Sequence, residues 1–508
     1  MNAVGSMSLR EIMRFAVAAR LQAMHCRLAF LLFGAIGIAG AASEAESAAA
    51  PRPNRPPNVI VILMDDMGWR DVGFMGNEFV ETPHLDQLAK QGLVFSQAYA
   101  SAPNCAPTRA CLMSGQYTPR HGIYTVVDPR QPPGSPWHKL MAADSKAELS
   151  PGVTTVAESL QARGYSTGFF GMWNLGRGRR GPITPGGQGF ETVVFPENLG
   201  FAKDAYFNPR GDYLSDSLTD AVLEFIDQNQ NSPFFVYLAD HAVHAPYEPK
   251  PALRDRYAAK AARSRDERND PSLAASVEAV DENVGRVMNH LRRLNLADNT
   301  LIVFTSDNGG THQYTAPLRG GKGELYEGGV RVPLVVWWSA LKNPGRVCDS
   351  PVASIDLYPT LLEFAAATPP SKQTLDGVSW APLIAGEEAL PSRRLFWHFP
   401  CYVGRSTPAS AIRDGDFKLI QFFEDGGRHE LYNLETDPHE ERNLAQSNPA
   451  KADALQAALT SWQEATGALL PSQPNPAFDP AADRPRGGQQ FSPFDATRRR
   501  GRSRDRVQ

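Results

Sequence analysis

Two apolar runs constrain this chain more than any other feature. NVIVILMDD, from Asn58, is continuously apolar and ends in Asp65 and Asp66. TLIVFTSDN, from Thr300, ends in Asp307 and Asn308. A strand with one wet face alternates polar and apolar residues. A short continuous run predicts a strand buried on both faces, as in a parallel sheet. PFFVYLADHAVHAP, from Pro233, is a third such run, and it delivers His241 and His244.

Helix signals separate the runs. TPHLDQLAKQG has Thr82 as N-cap, Pro83 at the first helical position and Gly92 as its stop. LVFSQAYA then reads as a returning strand. TTVAESLQARGYSTGFFG predicts a helix from about Thr155, a stop at Gly164 and another strand. Residues 251–296 read as mostly helical, with Val277, Val280, Val284, Val287, Leu291 and Leu294 at spacings of three and four. The alternation predicts an α/β domain with a largely parallel central sheet flanked by helices, over residues 57–385. From SRRLFWHFP the pattern changes. SAIRDGDFKLIQFF and GRHELYNLETDPHEERNLA read as antiparallel strands with turns at Asp414-Gly415 and Gly426-Gly427. A helix from Pro449 to Gly467 closes this smaller subdomain, residues 386–470.

The two ends read differently. Arg20 and Arg27 precede the apolar run LAFLLFGAIGIAG, and small residues follow. This predicts a secretory signal peptide over residues 1–41, export to the periplasm or medium, and membrane contact only through that segment; the alternative is a transmembrane anchor, for which the run is short. Residues 42–56 are an Ala- and Pro-rich flexible lead-in. Residues 471–508 read as a disordered tail whose last eleven residues hold six arginines. The net charge of −4 argues against general nucleic-acid binding. Four cysteines lie beyond the signal segment, too few for a disulfide framework.

NCAPTRACLMSG, residues 104–115, reads as a loop running into a short helix. Pro107 ends the loop, and Arg109 stands about one helical turn from Cys105. A helix start favours anions and ionised nucleophiles. Alone, the stretch is equally a plain loop with a buried thiol, and Asp65-Asp66 alone is a turn-capping pair. Together, Asp65, Asp66, Asp307 and Asn308 offer hard oxygens at two strand ends, suited to Ca²⁺ or Mg²⁺ rather than zinc. LRGGKGELYEGGVRVP, from Leu318, is a glycine-rich loop carrying Lys322.

C-x-P-[ST]-R followed by an apolar pair and Gly resembles the signature of the type I, formylglycine-dependent sulfatases, arylsulfatase-like members of the alkaline phosphatase superfamily. The resemblance runs from about residue 57 to about residue 445. It implies an alkaline-phosphatase-like fold and hydrolysis of sulfate monoesters. It implies conversion of Cys105 to formylglycine by a formylglycine-generating enzyme during maturation. It implies a divalent cation, usually calcium with Mg²⁺ as the other choice, on Asp65, Asp66, Asp307, Asn308 and residue 105. Arg109 would hold the hydrated aldehyde, and Lys322 and His244 would bind sulfate and assist the leaving group. The substrate would be a sulfated small molecule or polysaccharide.

One departure stands out. The family's second motif ends in G-K-W-H-L-G, and this chain has GFFGMWNLG. Met172 replaces the lysine and Asn174 the histidine. Met172 neither binds sulfate nor donates a proton, and Asn174 hydrogen-bonds but is no base near neutral pH. Three readings follow. The first is an active sulfatase with an altered site, in which His241, or His312 in DNGGTH, takes over part of the work. The second is a weakened sulfatase-like protein that binds sulfated glycans. The third is a phosphodiester or phosphonate hydrolase on the same fold. Asn174, His241, His312 and His398 are the expected substrate-side residues, with His398 either at the mouth or packed in an aromatic-rich strand, while His121 reads as structural.

Overall fold

The computed structural model describes residues 55–126, 134–266, 268–311, 314–404 and 406–482. The expected signal peptide, nearly all of the expected lead-in, His312 and the arginine-rich end lie outside the described residues.

The large sheet has eight strands. They are β1 (Asn58–Met64), β2 (Leu93–Phe95), β4 (Ser166–Gly171), β5 (Thr192–Val194), β6 (Phe234–Ala239), β7 (Thr300–Ser306), β8 (Leu334–Trp337) and β9 (Arg346–Cys348). Two short strands, β3 (Ala98–Tyr99) and β10 (Val352–Ala353), pair apart from it. The order across the large sheet is β5-β4-β6-β1-β7-β8-β2-β9. Pairing is parallel from β5 through β7, and β8 runs antiparallel to both β7 and β2. The sheet is therefore mixed, with five parallel strands from the β5 edge through β7, and the three continuous apolar runs, β1, β6 and β7, lie in that parallel part. LVFSQAYA is not one strand: its two halves pair in different sheets.

Strand β1 explains its own composition. Ile60, Ile62 and Met64 join one core layer with the helices Leu214–Asn229 and Pro271–Arg293. Val59, Val61 and Leu63 join the other, with the helices Cys105–Ser114, Val156–Ala162 and Leu357–Phe364. Every residue of β1 is buried. Each fully buried Val, Ile, Leu or Met side chain contributes roughly 1.5–3 kcal/mol, and the strand's one polar residue, Asn58 at its start, donates through Nδ2 to Thr300 Oγ1 at 3.2 Å. The mostly helical stretch 251–296 holds two helices, Pro251–Ala261 and Pro271–Arg293, and Asp270 caps the second by accepting from the amides of Ser272 and Leu273 at 2.7 and 2.9 Å.

The small sheet is antiparallel, in the order β11 (Arg394–Phe399), β12 (Ala409–Asp414), β13 (Phe417–Phe422) and β14 (His429–Asn433). Its outer face packs Ile412, Leu419 and Leu431 against Leu455 and Leu459 of the helix Pro449–Thr466. Its inner face packs Trp397, Ala411 and Ile420 against Tyr99, Leu325 and Val330 of the large domain. Residues 471–482, expected to belong to the disordered tail, are instead fixed. The Met141 amide donates to the Gln473 carbonyl at 2.8 Å, and the Asn475 amide to the Lys139 carbonyl at 2.9 Å. No helix among the described residues is long and apolar enough to cross a membrane.

Candidate active site

Four neighbouring strands deliver the site. Met172 and Asn174 follow β4, His241 and His244 follow β6, Asp65 and Asp66 follow β1, and Asp307 and Asn308 follow β7. All lie at the carboxyl ends of parallel strands, where open α/β sheets bind ligands. The loops are stitched by backbone bonds that extend the ladder. Met172 donates to Ala239 at 2.9 Å, Asp65 to Ala242 at 3.0 Å, Val243 to Asp65 at 2.8 Å and Asp307 to Met64 at 3.0 Å.

The cysteine lies on a helix, Cys105–Ser114, which begins two residues before the proline expected to end the loop. Pro107 sits in the first turn, where its missing N–H leaves no bond unmade. Every residue of this helix is buried. It ends at Gly115, whose φ of 66° suits glycine, with the Gly115 amide bonded to the Cys111 carbonyl. One turn after Cys105, Arg109 is 1% exposed and makes a charged fork. Its Nη2 lies 3.0 Å from Asp65 Oδ2 and 2.7 Å from Asp307 Oδ2, and its Nε donates to Asp307 Oδ2 at 2.9 Å. Its Nη1 donates to the Met172 carbonyl.

The acidic cluster is tight. Ligand atoms of Asp65, Asp66, Cys105 and Asp307 lie within 4.8 Å of one another, and all four residues are buried. The Cys105 thiol donates to Asp65 Oδ1 at 3.4 Å. Burial, then the Asp65 carboxylate, push its pKa well above the ordinary thiol range. Such a thiol is not a nucleophile in its own right. Burial and Asp65 also push Asp307 up, to about 7, against the pull of Arg109. Burial would raise Asp65 too, but Arg109 beside it holds it well below the usual range.

Asn308 donates through Nδ2 to Asp66 Oδ1 at 2.8 Å and to the Gly309 carbonyl at 2.9 Å, while its buried Oδ1 has no hydrogen-bond partner. An unsatisfied buried oxygen beside three carboxylates fits a hard cation. Lys322 Nζ lies 2.6 Å from Asp66 Oδ1. Burial opposes its charge, but Asp66 and the other acidic neighbours more than offset this, so it stays protonated. Its loop is anchored on two sides, by Lys322 N to the Gly310 carbonyl at 3.0 Å and Gly323 N to the Pro103 carbonyl at 2.7 Å.

His244 Nδ1 is 2.7 Å from the Ala245 carbonyl, so Nδ1 carries the proton and Nε2 faces Asp66 Oδ2 at 3.6 Å. Burial, then the nearby Lys322, lower its pKa. His241 stacks on it with ring centroids 5.1 Å apart. The buried Nδ1 of His241 has no hydrogen-bond partner and lies 3.9 Å from Asp65 Oδ2. Both histidines are tied through their carbonyls to the Tyr206 hydroxyl. Sequence reasoning missed Tyr206, since nothing in AYFNP distinguishes it from a core tyrosine. It missed Ser306 as well, whose hydroxyl accepts from the Met67 amide at 2.9 Å and donates to the Asn308 carbonyl at 3.0 Å.

Asn174 is half-buried, with a left-handed φ of 59° that asparagine tolerates. His398 is placed elsewhere. It is fully buried, with Nδ1 2.6 Å from Ser410 Oγ and Nε2 3.1 Å from the Leu469 carbonyl. Both nitrogens are used inside the fold, so the expectation that it lines the mouth is corrected. His121 is buried, with Nδ1 accepting from the Ile123 amide and Nε2 3.4 Å from Cys111 Sγ.

Comparison with known proteins extends these observations. The sulfatase family profile matches residues 57–367, and that of the N-sulphoglucosamine sulphohydrolase C-terminal region matches residues 321–465. A sulfatase of Formosa agariphila is 34% identical, the match covering 78% of this chain and 86% of the relative. Human arylsulfatase A is 31% identical over 84% of this chain and 92% of its own. Among solved structures, i-CgsB in complex with a neocarrahexaose superposes with a TM-score of 0.68 and 29% identity, covering 80% of this chain and 93% of that one. The carboxyl-end site, the acidic cluster and these matches agree: the chain belongs to the sulfatase family, sulfuric ester hydrolases on the alkaline-phosphatase-like fold.

Proposed function

We propose that this chain hydrolyses sulfate monoesters on a sulfated carbohydrate, using formylglycine formed from Cys105 and a divalent cation, calcium with Mg²⁺ as the other choice. The observation that carries the reading is the buried cluster of Asp65, Asp66, Cys105 and Asp307, with the unpartnered Oδ1 of Asn308 beside it. Three carboxylates there face two side-chain cations, Arg109 and Lys322. Asp65, Asp66, Asp307 and Asn308 would hold the cation. Bound there, it supplies positive charge to the sulfate oxygens and to residue 105.

Converted and hydrated, residue 105 supplies two hydroxyls on one carbon, one to attack sulfur and one to expel sulfate afterwards. Arg109 stabilises charge on residue 105, fixed by its fork to Asp65 and Asp307. Lys322 neutralises the sulfate group. His244, its tautomer set by the Ala245 carbonyl, presents Nε2 for the proton exchanged with the leaving alcohol. His241, stacked on it and close to Asp65, takes over part of the proton work that Asn174 does not do.

Relatives support the carbohydrate part. The curated relatives include N-acetylgalactosamine-6-sulfatases, and the i-CgsB structure is a complex with a neocarrahexaose. The charged and apolar N-terminal segment supports export. A second reading, a weakened protein that binds sulfated glycans, is favoured by Met172 and Asn174 alone.

The test pairs peptide mass spectrometry of residue 105 in protein from its native host with sulfate release from a small aryl sulfate, with and without calcium. An aldehyde together with calcium-dependent release is expected. An unmodified thiol would sink the formylglycine mechanism. An aldehyde with no release, extended to a sulfated-glycan panel, would move the reading to glycan binding.

A further inference from the structure

The small sheet does more than cover the large domain. Lys418, on β13, is fully buried, with Nζ 2.9 Å from Glu327 Oε1 and 3.0 Å from Glu440 Oε1. Both carboxylates are buried as well. Glu440 Oε2 accepts from the Glu327 amide at 2.6 Å. Glu327 Oε2 accepts from the Tyr99 hydroxyl at 2.8 Å and faces Arg331 at 3.6 Å. Glu440 holds a left-handed backbone, φ 55°, unusual for a residue with a long side chain. That conformation costs of order 1 kcal/mol or more and persists only where the surroundings over-determine it.

Glu327 opens the short helix Glu327–Val330, which sits in the glycine-rich loop. Beyond it the packing is backbone on backbone. The Gly309 amide donates to the Gly329 carbonyl at 2.9 Å. A Cβ on Gly309 would lie 2.0 Å from the Gly328 carbonyl oxygen, and one on Gly329 would lie 2.0 Å from that of Glu324. There is no room for side chains between these segments, so a shift of Glu327 reaches both neighbours directly. On one side is Asn308, next to Gly309. On the other is Lys322, whose amide is bonded to Gly310.

We propose that Lys418 and Glu440 are positioning residues: they hold Glu327, and through it they set the placement of Lys322 and Asn308 at the catalytic site. A loop with glycines at 320, 321, 323, 328 and 329 has little stiffness of its own. The buried trio supplies it from the other sheet. This inference rests on the reading that Lys322 and Asn308 act in sulfate-ester hydrolysis.

The test uses the full exported chain and two variants, Lys418→Met and Glu440→Gly. Glycine suits φ 55° and so removes the side chain while keeping the backbone. If Lys418→Met fails to fold, Glu440→Gly carries the test. Hydrogen exchange at residues 309, 322 and 323 is read by mass spectrometry against exchange in β1 and β7. Exchange at the three positions should quicken about tenfold while the strands stay as they were. On an aryl sulfate, kcat should fall about tenfold to a hundredfold, with KM changed less than about threefold. A rise spread evenly over the strands, no rise, or a local rise with full kcat would each overturn the proposal. If the unsubstituted protein hydrolyses no sulfate ester, the functional reading fails by itself. Local exchange alone then decides the positioning.

Discussion

The sulfur of Cys105 lies 3.4 Å from Oδ1 of Asp65, and Arg109 grips the other oxygen of the same carboxylate at 3.0 Å. One carboxylate thus joins the residue proposed as nucleophile to the residue proposed to hold it. Cys105→Ala removes the group that is modified and leaves the Arg109 fork intact. Sulfate release should fall by at least about 10³-fold, the scale of losing a nucleophile, while the thermal midpoint changes little. Release at the parent rate would remove residue 105 from the mechanism.

Removing the cation should act on stability as well as on rate. Without it, the buried carboxylates of Asp65, Asp66 and Asp307 are balanced chiefly by Arg109 and Lys322. Chelation should abolish sulfate release. Calcium at about 100 times its dissociation constant should restore roughly 2.7 kcal/mol of stability. Calorimetric melting with chelator and with added calcium checks this. Unchanged melting and unchanged activity would argue against a resident metal.

The β4 loop offers a gain-of-function test. The Met172 amide is held by Ala239 and its carbonyl by Arg109, so the backbone is fixed while the side chain is free to be exchanged. Met172→Lys with Asn174→His should raise kcat/KM on an aryl sulfate by about 10²-fold or more, the scale of a positioned acid–base group. No rise would mean that His241 and the rest of the site already do this work.

Two buried histidines predict how stability depends on pH. Burial lowers His121 to about 3, helped by Lys146. Burial lowers His398 to about 4, against the bond to the Leu469 carbonyl. Both folded values lie below the unfolded value near 6.5. The stability they carry is present above that pH and is lost as pH falls towards 4 and then 3. For His398 the loss is about 3 kcal/mol. Melting between pH 7 and pH 4 should show the decline. His398→Asn, which costs some stability at pH 7, should flatten its slope. An unchanged slope would refute the assignment.

Much of the site was legible because burial writes itself into composition. A strand covered on both faces carries no charged residue until it leaves the sheet, so Asp65 and Asp307 mark the ends of β1 and β7. His398 was not legible. In FWHF the alternation of a strand does not say which face meets the protein, and the bonds to Ser410 and Leu469 come from other segments. Likewise the break in LVFSQAYA depends on which strands offer partners, not on its own residues.

The sequence by itself determined the alternation of buried strands and helices, the acidic strand ends, the cysteine–arginine spacing of one helical turn and the exchange at Met172 and Asn174. These are local: each is set by periodicity, spacing or residue chemistry within a short window. Only the tertiary structure decided that four adjacent strands bring those groups together, that His241 and His244 stack on each other and share the Tyr206 hydroxyl through their carbonyls, and that Lys418 lies between Glu327 and Glu440. Lys418 and Glu327 are 91 residues apart in the chain and 2.9 Å apart in space. Contacts of that kind are chosen by the packing of whole layers against one another, and no short stretch of either partner records the choice.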